Sequence, residues 1–230
     1  MDKTMRICGC LVDAESDQLP AILQSPELDL VEWRLDAFIA RQGWPKTRKL
    51  LTVLASEGRC PVLATNRPER QGGFFAGSEA ERLAILAEAV EAGAEWVDLE
   101  DDLAEDPTQR FRELGAKVVV SHHDFSQTPG LAEMQGIVRK SAARADCIKV
   151  VTLAGAHQDC LRVLQLIPWG RETLQMDVIA FCMGIPGRWS RIACLLLGSP
   201  WTYVRLVGSP EAAPGQYTAL ETRALLDMLL

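Results

Sequence analysis

Eight short apolar runs, separated by segments with helical spacing, predict a (β/α)8 TIM barrel of the α/β class, one domain over residues 1–230. Three observations carry that expectation. The runs recur from one end of the chain to the other. Polar residues gather late in them, where such a barrel builds its active site. No Pro/Ser-rich linker, internal repeat or low-complexity tract divides the chain. A doubly wound open sheet is the competing arrangement of the same alternation.

The first strand is read in "RICGCLVD". The second, "LDLVEWRLD", carries Glu32, Arg34 and Asp36 at alternate positions, which on a strand share one face. The third, "PVLATNRP", ends on Arg67, and Ser78 with Glu81 three residues later gives the helix "SEAERLAILAEAVEAGA" a capping-box start. The fourth, "EWVDLED", bears Asp98 and Glu100, followed by "PTQRFRELGA". The fifth, "KVVVSHHDF", brings His122, His123 and Asp124 to its end before "GLAEMQGIVRKSAARA". The sixth, "DCIKVVTLA", holds Lys149 in mid-run and leads to "HQDCLRVLQLIPW". The seventh, "MDVIAFCMG", continues into "MGIPGRWSR" and the helix "RWSRIACLLLG", and the eighth, "WTYVRLVG", precedes "YTALETRALLDMLL".

Composition narrows the function classes. Hydrophobic content of 48% with 24% charged residues is ordinary for a soluble globular chain. A net charge of -7 without a basic patch argues against nucleic acid as a partner. The N-terminus lacks a long apolar run, so neither a signal peptide nor a membrane span is expected, and the location expected is cytoplasmic. Seven cysteines without a CxxC pair read as reduced, buried thiols, and no spacing with the three histidines suggests a metal site. Composition and spacing thus predict no metal and no nucleic-acid partner, and they leave a small-molecule partner and a homodimer open.

Lys149 poses the sharper question. Only six lysines occur in the chain, and one stands inside an apolar run, where lysine is seldom buried without a partner. A desolvated lysine gives up its proton more easily, and a neutral amine attacks carbonyls. A histidine on the neighbouring strand is a natural proton shuttle. Arginines, which grip carboxylates bidentately, point to an anionic carbonyl substrate. The bland reading of Lys149 is a strand-end lysine reaching water. A class I aldolase would present much the same groups.

Seven segments make the comparison more specific: "EWRLD" (32–36), "TNRPERQGG" (65–73), "SHHDF" (121–125), "IKVV" (148–151), "MGIPGRWSR" (183–191), "LGSPWTY" (197–203) and "APGQ" (213–216). In this order, over nearly the whole chain, they resemble the type I 3-dehydroquinate dehydratases of the shikimate pathway. The resemblance implies dehydration of 3-dehydroquinate to 3-dehydroshikimate without metal or cofactor. It implies an imine on Lys149, His123 as general acid and base, and Arg191 on the substrate carboxylate. Glu32, Arg34, Arg67 and Gln216 are implied to bind the substrate hydroxyls or close the site.

The chain departs from that family's pattern in places. Gln71 stands where a glutamate usually pairs with the histidine; an amide still orients the ring but supplies no charge. Glu69, Asp98 and Glu100 are the nearby carboxylates considered for that task. Ala212 replaces a serine of the C-terminal loop, and Cys10 stands where strand one often ends in serine. Strand one begins within a few residues of Met1, so a barrel lacking the usual N-terminal floor hairpin is expected. Two alternatives remain: another imine-forming lyase such as a class I aldolase, and a catalytically weakened relative acting as a binding partner. His122 is read as a packed polar residue or one at the edge of the substrate, His157 as a surface or capping residue, Arg205 as undecided, and Trp33, Trp96, Trp189 and Trp201 as packing residues.

Overall fold

The computed structural model describes residues 5–56, 59–209 and 213–230. In chain order it contains β1 (Arg6–Leu11), α1 (Leu19–Leu23), β2 (Leu30–Arg34), α2 (Leu35–Gln42), α3 (Trp44–Leu50) and a 3-10 turn (Leu51–Ala55). Next come β3 (Val62–Thr65), a second 3-10 turn (Glu69–Gln71), α4 (Glu79–Glu91), β4 (Trp96–Glu100), α5 (Thr108–Glu113), β5 (Lys117–Asp124) and α6 (Leu131–Ala142). The chain closes with β6 (Cys147–Leu153), α7 (His157–Leu164), α8 (Leu166–Leu174), β7 (Val178–Met183), α9 (Ser190–Leu196), β8 (Trp201–Arg205) and α10 (Ala219–Leu229).

Each strand pairs in parallel with its neighbour in sequence, and β8 returns to pair with β1. The remaining seam lies between β7 and β8, and α9 packs against both. This is a (β/α)8 barrel, as the alternation predicts. Helices cover the outside while side chains fill the inside, so β2, β3 and β7 are buried along their whole length. Near-continuous apolar runs follow from burial on both faces.

Two local readings change. Asp36 is not a strand residue: β2 ends at Arg34 and Asp36 falls in the first turn of α2. The run after β6 is two helices, α7 and α8, rather than one. Pro168 explains the break, because its ring clashes with the carbonyl four residues back and it offers no N–H there. The capping box at α4 is present as expected, with Ser78 Oγ accepting from Glu81 N and Glu81 Oε2 accepting from Ser78 N.

The floor of the barrel is filled by tryptophan. Trp96 at the start of β4 and Trp201 at the start of β8 meet edge to face, with ring centroids 5.3 Å apart. Arg6 lies over the Trp201 ring and Lys117 over the Trp96 ring, at 5.4 and 5.2 Å. Among the described residues β1 is the first strand.

Candidate active site

A cleft of roughly 510 Å³, counting the part open to solvent, lies at the C-terminal ends of the strands. That is the size range of small-molecule sites. Glu32, Arg34, Arg67, His123, Lys149, Arg191 and Gln216 all line it. Register explains the convergence of the two central groups. Ser121 pairs with Lys149 and His123 with Val151, so a period of two turns His123 and Lys149 to the same inner face. His122, one residue out of phase, instead bonds Asp101 through Nδ1 at 3.0 Å.

Lys149 is 6% exposed, yet it is not alone. Its Nζ stands 3.5 Å from Glu32 Oε1, 3.5 Å from Asp98 Oδ2, and 4.2 Å from the centre of the Tyr203 ring. Asp98 also accepts from Ser121 Oγ and pairs with Arg67 Nη2, both at 2.8 Å. Burial works against the Asp98 carboxylate, but Arg67 and Lys149 overcome it and hold its pKa below the usual range. Glu32 further accepts from Thr65 Oγ1 at 3.1 Å and from the Cys10 thiol at 3.3 Å.

Cys10 also accepts from Gln216 Nε2 at 3.2 Å, which ties the last loop of the chain to the end of β1. Burial, reinforced by Glu32, pushes this thiol well above its ordinary pKa, so it stays protonated and acts as a hydroxyl would. Arg34 is clamped bidentately by Asp36 at 2.9 and 2.6 Å, and Asp36 accepts from Phe74 N as well. Arg191, at the start of α9, lies 4.6 Å over the Phe181 ring and reaches the Pro214 carbonyl at 3.5 Å. Four cations and one carboxylate thus line the cleft, a balance suited to an anionic ligand.

His123 stacks against Phe125, with ring centroids 5.8 Å apart and planes 13° from parallel. Desolvation, with Arg67, Lys149 and Arg34 nearby, lowers its pKa well below the ordinary histidine value. The ring is therefore neutral at neutral pH. Among the described residues no group of His, Cys, Asp and Glu side chains is arranged to hold a metal ion. No disulfide joins any of the seven cysteines, and six of them are buried, Cys60 being half-buried.

A model of the type I 3-dehydroquinase family matches residues 7–230. The chain belongs to the type I 3-dehydroquinase family. It is 47% identical to the 3-dehydroquinate dehydratase of Syntrophobacter fumaroxidans over 224 residues, covering 97% of this chain and 96% of that one. The corresponding enzyme of Desulfotalea psychrophila is 38% identical, with 96% of each covered. The crystal structure of 3-dehydroquinate dehydratase from Geobacillus kaustophilus superposes with a TM-score of 0.87 at 28% identity, covering 98% of this chain and 91% of that one. Family membership makes the chain a hydro-lyase.

Within this type I 3-dehydroquinase, none of the three carboxylates considered for orienting His123 bonds its ring. Asp98 serves Lys149, Arg67 and Ser121, while Glu100 pairs with Arg67 and Arg82. Glu69 is exposed, and His123 Nδ1 is buried with no hydrogen-bond partner. Gln71 lines the cleft and donates to Asp102 at 2.9 Å, leaving its own Oε1 without a partner. Arg205 does not line the cleft. Ala212 lies outside the described residues. Tyr203 and Phe125 line the cleft but were not singled out from the sequence. Tyr203 is legible in retrospect, as the inward residue of β8 by a period of two.

Proposed function

We propose that the chain dehydrates 3-dehydroquinate to 3-dehydroshikimate through an imine on Lys149, with His123 as general acid and base. One observation carries this reading: Lys149 sits between two carboxylates at the floor of a cleft whose wall holds a neutral histidine. Attack on the ketone needs the free amine; Glu32 Oε1, 3.5 Å away, is within reach to take its proton, while Asp98, held ionised by Arg67, fixes Nζ in place from the same distance. The carbinolamine then loses water to give a cationic imine, an electron sink that acidifies the adjacent carbon. Neutral His123 removes that proton and the electrons collect in an enamine. The imidazolium returns the proton to the β-hydroxyl, which leaves as water while the carbon–carbon double bond forms. A second water hydrolyses the imine and frees Lys149. The net loss is one water.

Arg191 suits the substrate carboxylate. Glu32, Arg34, Arg67 and Gln216 suit the hydroxyls, the arginines using the donors their own carboxylate partners leave over. The test is trapping. Borohydride added during turnover should raise the intact mass by one reduced ligand, and peptide mapping should locate it on Lys149. Lys149→Ala should fold, trap nothing and fail to form the ultraviolet-absorbing conjugated product. Label on another lysine, or dehydration without any label, would sink the mechanism.

A further inference from the structure

Arg82 lies on the outer helix α4, yet it is 1% exposed and among the largest fully buried side chains. Its Nη2 stands 2.6 Å from Glu100 Oε2, close as charges though not aligned as a hydrogen bond. Glu100 in turn binds Arg67 Nη1 at 2.7 Å. Arg82 Nη1 also donates to the carbonyl of Asn66 at 3.0 Å, the residue directly before Arg67. The Asn66 side chain answers by donating to the Arg82 carbonyl at 3.5 Å.

We propose that Arg82 is a positioning residue of this active site, fixing Arg67 at its guanidinium through Glu100 and at its backbone through Asn66. Charges then alternate inward from Arg82 through Glu100, Arg67 and Asp98 to Lys149. A second branch runs from Arg82 through Glu79, Arg70 and Asp102 to Gln71. Its middle members, Glu79, Arg70 and Asp102, are solvent-exposed, and such pairs contribute little. The inner branch is buried, where losing one partner strands the other.

Glu100 reports on the link. Burial raises its pKa, and Arg67 and Arg82 oppose that rise, with Asp98 acting against them and Arg70 standing further off. Removing Arg82 should leave Glu100 harder to ionise and Arg67 loosely held.

The inference rests on the dehydration proposed above, so the test has one arm with substrate and one without. Arg82→Met should stay folded by near-ultraviolet circular dichroism and lose about tenfold to a hundredfold in kcat/KM, as for a misplaced catalytic group. Its acid limb should move to higher pH. Glu100→Gln should lose a comparable amount, and the double variant no more than Glu100→Gln alone. Arg82→Lys, which keeps the cation, should leave the acid limb where it was. Without substrate, a carbon-13 carboxyl titration should show the Glu100 midpoint raised by about one pH unit in Arg82→Met and unmoved in Arg82→Lys. If Arg82→Met does not fold, Arg82→Gln, which keeps a donor for the Asn66 carbonyl, takes its place: a raised Glu100 midpoint supports the link and an unmoved one defeats it. A folded Arg82→Met with wild-type kinetics and titration, or losses that simply add, would overturn the inference. A wild type that leaves 3-dehydroquinate intact would count against the dehydration, while the titration would still judge the Arg82–Glu100 link.

Discussion

At His123, desolvation and the neighbouring cations Arg67, Lys149 and Arg34 act together against a second ring proton. The acid limb of kcat/KM due to this group should therefore fall below the ordinary histidine value of about 6.5. A pH–rate profile measures it directly. The adjacent His122 behaves oppositely: burial opposes its proton, but Asp101 at 3.0 Å prevails and raises its pKa. Activity should separate the two, since His123→Ala removes the acid/base, a loss of about 10²- to 10⁴-fold, and His122→Ala removes an ion pair outside the cleft. Stability should separate them too. Unfolded His123 takes a proton below about pH 6.5 that the folded ring refuses, so its contribution weakens as pH falls through that value. Folded His122 keeps its proton above that value, so its contribution is full at low pH and is lost as pH rises through its raised folded pKa. Urea unfolding at pH 5 and pH 7 should show His123→Gln gaining on the wild type at the lower pH and His122→Gln losing there. Equal responses would contradict the assigned environments.

The turn from β7 to α9 carries Arg191 into the cleft. Ser190 Oγ donates to the Gly187 carbonyl at 2.6 Å and accepts from Cys182 N at 2.9 Å, latching the turn onto the end of β7. Gly187 has no room for a side chain: a Cβ there would lie 2.4 Å from the Met183 carbonyl oxygen and 2.7 Å from that of Cys182. Both are backbone atoms that cannot swing aside. Gly187→Ala should cost about 1–3 kcal/mol, the range for overpacking a close-packed site, and should raise KM by displacing Arg191. Denaturant midpoints and steady-state kinetics check both, and an unchanged KM would detach Arg191 from this turn. The element was visible in "MGIPGRWSR", but the latch was not, because serine and glycine in a turn sequence do not announce which strand amide they will meet.

Across the whole barrel, chemistry and stability occupy opposite ends, as the architecture favours. Trp201 is 1% exposed and closes the floor against Trp96, one side-chain layer below Tyr203 and Asp98, which touch Lys149. Trp201→Ala should destabilise the fold by about 3–5 kcal/mol, the cost of emptying a large aromatic site, while leaving kcat unchanged in the folded fraction. Thermal unfolding and active-site-normalised rates test this. A folded variant with a collapsed kcat would place the floor in communication with the chemistry. No helix among the described residues is long and apolar enough to cross a membrane.

What the sequence determined by itself is the order of strands and the kinds of group at their ends. Eight apolar runs, a period of two and the caps are local properties, so Lys149, Arg67 and the His122–His123 pair could be nominated from their own segments, whereas Arg191 and the choice of His123 rested on the family resemblance. Partnership was decided only by the tertiary structure. Asp98 goes to Lys149 and Arg67 rather than to His123 because parallel register sets Asp98 beside Val119 and Ser121 beside Lys149. Arg82, read as part of an amphipathic helix, turns inward to a carboxylate on another strand. Gln216 meets Cys10 across 206 residues because β8 closes back onto β1. Such pairings depend on barrel closure and strand stagger, which no single segment encodes.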